Sequence, residues 1–214
     1  DLLCVLLAGD FAVIKMSSDD LELLPIVLRI LENHDERIIN SYHIEKEALK
    51  GIDKIIATGS DNTARYFEYY FAQYPRIIRK SRTSVGVLPA AISETEIKML
   101  AKDMFQYFGL GCRNVSKLFI PEGFDVPRLI DHLRTFDPHM DNVKYINNLE
   151  YHKSIMLING EQFLDGGFFL MRESQELFSP ISVTNYECYA NLGQVDGFIE
   201  QHAHEIQCIV GSTY

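Results

Sequence analysis

The chain has 214 residues, 47% of them hydrophobic, with 30 acidic against 20 basic side chains and a formal charge of −10; this supplies core for one large domain or two compact ones and excludes a disordered chain. The acidic balance, with no basic run longer than Arg79-Lys80, excludes nucleic acid and acidic membrane surfaces as partners, since either needs a basic footprint. The cysteines Cys4, Cys112, Cys188 and Cys208 lack C-x-x-C spacing, which argues against a zinc site or a disulfide framework and fits a reducing, cytoplasmic setting.

The apolar opening, 1–8, is too short to span a membrane, lacks a basic leader and reads as the tail of a helix. Short β-branched runs at 11–16, 37–42, 54–58 and 77–79 alternate with helical patterns, the rhythm of a doubly wound α/β unit. Ser17-Ser18-Asp19-Asp20 suits the N-terminus of its first helix, and Pro25 sets the regular part near Leu24. A second set opens with a strand at 83–88 and a capping box, Ser93 with Glu96. Ile97, Leu100, Ala101, Met104, Phe105 and Phe108 then form an apolar stripe that predicts a helix ending at Gly109. A strand at 117–120, helices at 125–136 and 142–158, strands at 168–171 and 181–186, a helix at 193–202 and a strand at 206–210 complete the pattern. The fold class is therefore α/β, two doubly wound three-layer units with largely parallel sheets, divided into 1–82 and 83–214. The last stretch, 207–214, reads as a strand and the beginning of a loop, and both ends look cut from a longer chain.

The most telling segment is Phe108-Gly109-Leu110-Gly111-Cys112-Arg113-Asn114. Glycines before a cysteine let the backbone turn tightly against a substrate, and a thiol there can ionise beside Arg113 or free N–H groups, so Cys112 is a candidate nucleophile. The other reading of the same spacing is a small residue filling the corner of a turn. Cys4, Cys188 and Cys208, within apolar runs, read as core. His202 and His204 stand two apart, which turns them in different directions and argues against a metal. Tyr66, Phe67, Tyr69, Tyr70, Phe71 and Tyr74 share one amphipathic helix, and read as packing or a subunit interface rather than an acyl pocket.

Four segments together resemble the aldehyde dehydrogenase superfamily, specifically its acyl-CoA reductase branch, the fatty acyl-CoA reductases of the LuxC type. Leu7-Ala8-Gly9-Asp10-Phe11-Ala12-Val13-Ile14-Lys15-Met16-Ser17-Ser18 resembles the "A-G-N-x-V-V-x-K-P-S-E" strand, and Thr58-Gly59-Ser60 resembles "F-T-G-S". Gly111-Cys112 with the strand after it resembles the nucleophile loop, and Glu176-Leu177-Phe178-Ser179-Pro180 resembles "E-I-F-G-P". The resemblance implies an aldehyde dehydrogenase-like fold, with 1–82 the late part of a nucleotide-binding domain and 83–214 an incomplete catalytic domain. It also implies a partial enzyme, whose oxyanion-holding Asn lies upstream of Asp1, and a homo-oligomer in the full-length protein.

What the resemblance implies chemically is an acyl-CoA reductase. Cys112 would take the acyl group from the thioester and release coenzyme A, with its own backbone N–H at the oxyanion. Lys15, with Ser17 and Ser18, would meet the adenosine ribose or its 2′-phosphate; Gly59 and Ser60 would lie under the pyrophosphate; Glu176 would bind the nicotinamide ribose. Ser18 stands where NAD-selective members carry a carboxylate, which favours NADPH over NADH on electrostatic grounds. Where hydrolytic members place a water-activating glutamate, this chain has Arg79-Lys80-Ser81-Arg82-Thr83-Ser84, and that loss fits acyl transfer to coenzyme A better than oxidation to acid. Its basic groups could lower the thiol pKa, meet coenzyme A phosphates, or stand in a solvated loop. The rival readings are an ordinary aldehyde dehydrogenase and a non-catalytic dinucleotide-binding or scaffold module.

Overall fold

A computed structural model describes residues 1–17, 21–136 and 142–211, the side chain of Asp61 excepted. The chain divides into two compact units, Asp1–Lys80 and Ser81–Tyr214.

In the first unit a short helix, α1 (Leu2–Leu7), leads into β1 (Ala12–Lys15), which pairs in parallel with β2 (Tyr42–Glu45). Between them runs α2 (Leu23–His34), flanked at its start by Glu22, which makes no capping hydrogen bond. Of the cap expected at 17–20, Ser18, Asp19 and Asp20 lie outside the described residues. The strand expected at 37–42 forms only at its end. Glu36–Asn40 is a 3-10 turn, because the Asp35 carboxylate accepts the Arg37 N–H at 3.0 Å and grips its guanidinium at 2.7 Å. These bonds from Arg37 hold the Asp35 carboxyl down to about 2. β3 (Ile55–Thr58), α3 (Asp61–Tyr70) and β4 (Arg76–Arg79) form a second parallel strand pair with its connecting helix. Tyr66, Tyr69 and Tyr70 of α3 are exposed, while Phe67 and Phe71 lie partly buried with ring centroids 5.9 Å apart.

The second unit is built on one six-stranded sheet. β5 (Thr83–Val87) and β6 (Val115–Pro121) sit near its centre with β9 (Val183–Tyr189), and the spatial order is β10, β5, β6, β9, β8, β7, where β7 is Leu164–Asp165, β8 Leu170–Glu173 and β10 Ile206–Val210. All neighbours are parallel except the antiparallel edge pair β7 and β8. Among the described residues four α-helices accompany it: α4 (Glu94–Phe105), α5 (Val126–Leu133), α6 (Val143–Asn159) and α7 (Leu192–Gln201).

Alternation along the strands decides the layers. Leu118 and Ile120 of β6 join Ile97, Leu100, Ala101, Met104 and Phe105 of α4 and Leu129, Ile130 and Leu133 of α5 in the main core. Phe119, one residue out of phase, joins Val85, Val87 and Val195 in a second cluster that includes α7. Helices on two faces of a parallel sheet require strands apolar on both faces, and burying each such side chain contributes about 1.5–3 kcal/mol.

The capping box forms as expected. Ser93 Oγ accepts the Glu96 N–H at 3.3 Å and the Glu96 carboxylate accepts the Ser93 N–H at 2.8 Å. The apolar stripe is buried through Phe105, but the α-helix ends there rather than at Gly109. Tyr107, Phe108 and Gly109 follow in the left-handed region, at φ of 55°, 61° and 68°, so Phe108 reaches the core through a turn. The assignment of Cys4, Cys188 and Cys208 to the core is corrected: Cys4 and Cys188 are exposed and Cys208 is only partly covered.

Candidate functional site

Cys112 is exposed, on the turn that joins the left-handed run to β6. The turn is fixed by a side chain two residues beyond it. Asn114 Oδ1 accepts the Gly111 N–H at 2.9 Å, while Asn114 Nδ2 donates to the carbonyls of Asp103 at 2.9 Å and Gln106 at 3.0 Å, with Met104 at 3.5 Å. The Asn114 N–H returns to the Gly111 carbonyl at 2.9 Å. Terminal helix carbonyls need partners from outside the helix, and here a distant amide supplies them, which is why α4 stops at Phe105. A Cβ on Gly111 would stand 2.9 Å from Asn114 Oδ1, so the glycine is required by the clamp. From β5, Ser84 Oγ donates to the Cys112 carbonyl at 3.0 Å. The nucleophile candidate therefore rides on a backbone held from both sides.

The Glu176 segment is pinned to β6 and β9 in a similar way. Lys117 Nζ donates to the Ser174 carbonyl at 2.9 Å, Asn185 Nδ2 to the carbonyls of Glu176 and Phe178 at 3.0 Å each, and Ser116 Oγ to that of Leu177 at 3.2 Å. Ser179 Oγ donates back to the Ser116 carbonyl at 3.1 Å, and Thr83 Oγ1 meets Ser116 Oγ at 2.6 Å. Four carbonyls between residues 174 and 178 thus accept side chains of β6 and β9, and β6 is the strand that begins three residues after Cys112. Lys117 is fully buried, paired with Glu187 Oε2 at 2.7 Å and lying over the Phe198 ring at 4.6 Å. Burial pushes its ammonium below the usual lysine range, against the pull of Glu187.

The Glu176 carboxylate is 75% exposed and stands 3.5 Å from the Arg172 guanidinium. Glu161, Gln162, Arg172, Glu173, Ser174 and Glu176 line an open cavity of about 300 Å³.

In the first unit Gly59 and Ser60 join β3 to α3. Ser60 is the helix cap, its Oγ accepting the Thr63 N–H at 3.4 Å. A Cβ on Gly59 would come within 2.9 Å of Thr63, so the first turn of α3 alone demands a glycine there. Lys15, at the end of β1, donates to the Lys46 carbonyl. Ser17 follows in the loop after it, and Ser18 lies outside the described residues. Arg79 and Lys80, whose alternatives were the thiol, coenzyme A phosphates or a solvated loop, are more than half exposed and pair with Asp1 at 3.0 Å and Glu68 at 3.1 Å. His202 and His204 both approach Glu205, at 2.8 and 3.9 Å, and His202 stacks on Phe198.

Asn114, Ser84, Lys117, Arg172 and Asn185 escaped the sequence reading. Polar side chains inside otherwise apolar strands, Ser116-Lys117 in β6 and Asn185 in β9, were the available signal, since a buried polar group must be bonded.

No protein-family model matches the chain, and no curated protein matches it. Solved structures do. The substrate-bound state of Staphylococcus aureus AldH superposes with a TM-score of 0.61 at 18% identity, over 94% of this chain and 51% of that one. The fold is that of the aldehyde dehydrogenases. An NADP-dependent glyceraldehyde-3-phosphate dehydrogenase from Bacillus halodurans C-125, complexed with NADP, gives a TM-score of 0.59 at 12% identity, over 82% of this chain and 51% of that one. A Mycobacterium tuberculosis aldehyde dehydrogenase complexed with NAD+ gives 0.55 at 13%, over 75% and 45%. The chain spans about half the length of these dehydrogenases. Among the described residues no helix is long and apolar enough to cross a membrane.

Proposed function

We propose that the chain is part of an NAD(P)H-dependent oxidoreductase of the aldehyde dehydrogenase type, and within that class an acyl-CoA reductase that makes aldehyde through an acyl-Cys112 thioester. The observation that carries the reading is Cys112 itself, an exposed thiol on a turn whose backbone is held by Asn114 and Ser84. A fixed backbone and a free side chain are what a nucleophile needs to meet a substrate carbonyl without reordering the loop. Cys112 Sγ attacks the thioester carbonyl, the bond to coenzyme A breaks, and coenzyme A leaves as the thiol.

The residues fit a dinucleotide in chemistry. The helix start after Gly59 would turn its first N–H groups to a pyrophosphate, the Gly59 N–H itself being taken by the Arg79 carbonyl at 3.2 Å, and Glu176 offers an exposed acceptor for sugar hydroxyls. Lys15 and Ser17 would take the adenosine end, together with Ser18, where the missing carboxylate favours NADPH over NADH. Residues 1–82 would be the nucleotide-binding part and 83–214 the catalytic part. When bound, the nicotinamide supplies the hydride that reduces the acyl group. The basic residues at 79–82, with no water-activating carboxylate among them, support transfer to coenzyme A over hydrolysis. A homo-oligomer of the full-length protein, in the cytoplasm, belongs to the same proposal.

The test is mass spectrometry of the full-length protein mixed with straight-chain acyl-CoA thioesters, wild type against Cys112→Ala. An adduct on Cys112 that disappears with NADPH while aldehyde forms is the expected result. Adduct-free protein that still binds nucleotide would establish a binding module instead, and free acid as the product of aldehyde oxidation would establish an ordinary aldehyde dehydrogenase.

A further inference from the structure

Arg172, on β8, lies four residues before Glu176, and its guanidinium is engaged on three sides. Nε donates to Asn185 Oδ1 at 3.0 Å, one terminal nitrogen donates to Glu161 Oε2 at 3.2 Å, and the other stands 3.5 Å from Glu176 Oε2. Asn185 is fully buried and spends its amide nitrogen on the carbonyls of Glu176 and Phe178. One asparagine therefore holds both the backbone that carries Glu176 and the guanidinium that meets its carboxylate. Glu161 closes the far side, and its own carboxylate is held by Asn159 at 3.0 Å. A planar guanidinium with two of its edges occupied can aim the third in one direction only, which a flexible ammonium cannot do. Without that partner an exposed glutamate samples several staggered rotamers.

We propose that Arg172, oriented by Asn185 and Glu161, is a positioning residue that sets the Glu176 carboxylate for the sugar hydroxyls of a nicotinamide nucleotide entering the cavity they line. The inference rests on the reductase reading and adds to it how Glu176 is aimed. Arg172 touches no reacting atom. It holds the carboxylate at the cavity that both side chains line.

The experiment uses the full-length protein, with NADPH and an acyl-CoA that acylates Cys112. Arg172→Lys keeps the charge and loses the fork, and is expected to raise the KM for NADPH about tenfold, while nucleotide-free acylation of Cys112 stays within about twofold. Glu176→Gln should raise that KM at least as much, and the double variant should be no worse than Glu176→Gln alone, because Arg172 acts through Glu176. A merely structural role would give additive losses and would slow acylation too. An unchanged KM in Arg172→Lys, or additivity, overturns the inference. If Arg172→Lys does not fold, Glu161→Gln removes only the outer arm; about a threefold rise in KM is expected, and no rise overturns the inference. The two levels fail separately: wild type that takes no acyl group sinks the reductase reading, while acylation with a KM insensitive to Glu176→Gln sinks the role of Glu176 alone.

Discussion

Asn114 answers, through one amide, the backbone needs of both the end of α4 and the start of the Cys112 turn. Asn114→Ala leaves the Gly111 N–H and the carbonyls of Asp103 and Gln106, all in part-buried hydrogen bonds, without that partner. An unsatisfied buried group costs about 1–3 kcal/mol, so a loss of at least about 2 kcal/mol is expected in urea denaturation. The same variant frees the turn, and acylation of Cys112 should slow by about tenfold or more, since small misplacements of a nucleophile are expensive. Asn114→Asp separates the two effects. It keeps an acceptor for Gly111 and loses the donors, so stability should fall with it as well, and a variant as stable as wild type would show that the carbonyls had found other partners. Lys117 obeys the same logic with a charge. Lys117→Ala empties a fully buried site and leaves the Glu187 carboxylate and the Ser174 carbonyl without their partner, and should cost about 2–5 kcal/mol, whereas Lys117→Met fills the space and should cost clearly less.

Helix α4 begins as its sequence dictates and ends as its tertiary surroundings dictate. The capping box spans four residues, so it is legible locally, and Ser93→Ala should cost about 1 kcal/mol of stability. The box also titrates. The Ser93 side chain, and then its backbone N–H, hold the Glu96 carboxyl below its ordinary 4.5. A folded-state pKa below the unfolded one gives stability that is fully present above 4.5 and lost as pH falls through the lowered value. Glu96→Gln should therefore narrow the difference in urea midpoint between about pH 7 and about pH 3, and an unchanged difference would show the box broken in solution. The other end of α4 was misread because Asn114, which terminates it, lies nine residues past Phe105 and outside any periodic pattern. Isoleucines 38 and 39 misled in the opposite way, reading as strand where the Asp35–Arg37 grip makes a turn. Cys188 read as core because it lies within a strand, although it stands next to the end of β9 and is exposed. Cys112, Gly59, Ser60 and Glu176 were visible as candidates through motif order. The side chains that hold Cys112 and Glu176 were not, because hydrogen bonds between β5, β6, β8 and β9 join residues up to about seventy positions apart.

The two units differ in what holds them. In the second, three buried clusters pack against a continuous six-stranded sheet. In the first, the buried apolar residues among those described are Ala12, Leu28, Ile55 and Ala64, and Leu23, Ile26, Val27 and Ile30 of α2 are exposed beside two separate strand pairs. Local opening free energy follows buried contact, so the units should not open together. Amide hydrogen exchange on this 214-residue chain should protect β5, β6 and β9 through global unfolding, while β1 to β4 exchange orders of magnitude sooner. In urea the first unit should unfold in an earlier transition, and Lys117→Ala should move only the later one. A single transition shifted as a whole by Lys117→Ala would mean that the first unit draws its stability from the second. In that event the early exchange expected of β1 to β4 would vanish as well, so the two measurements must agree.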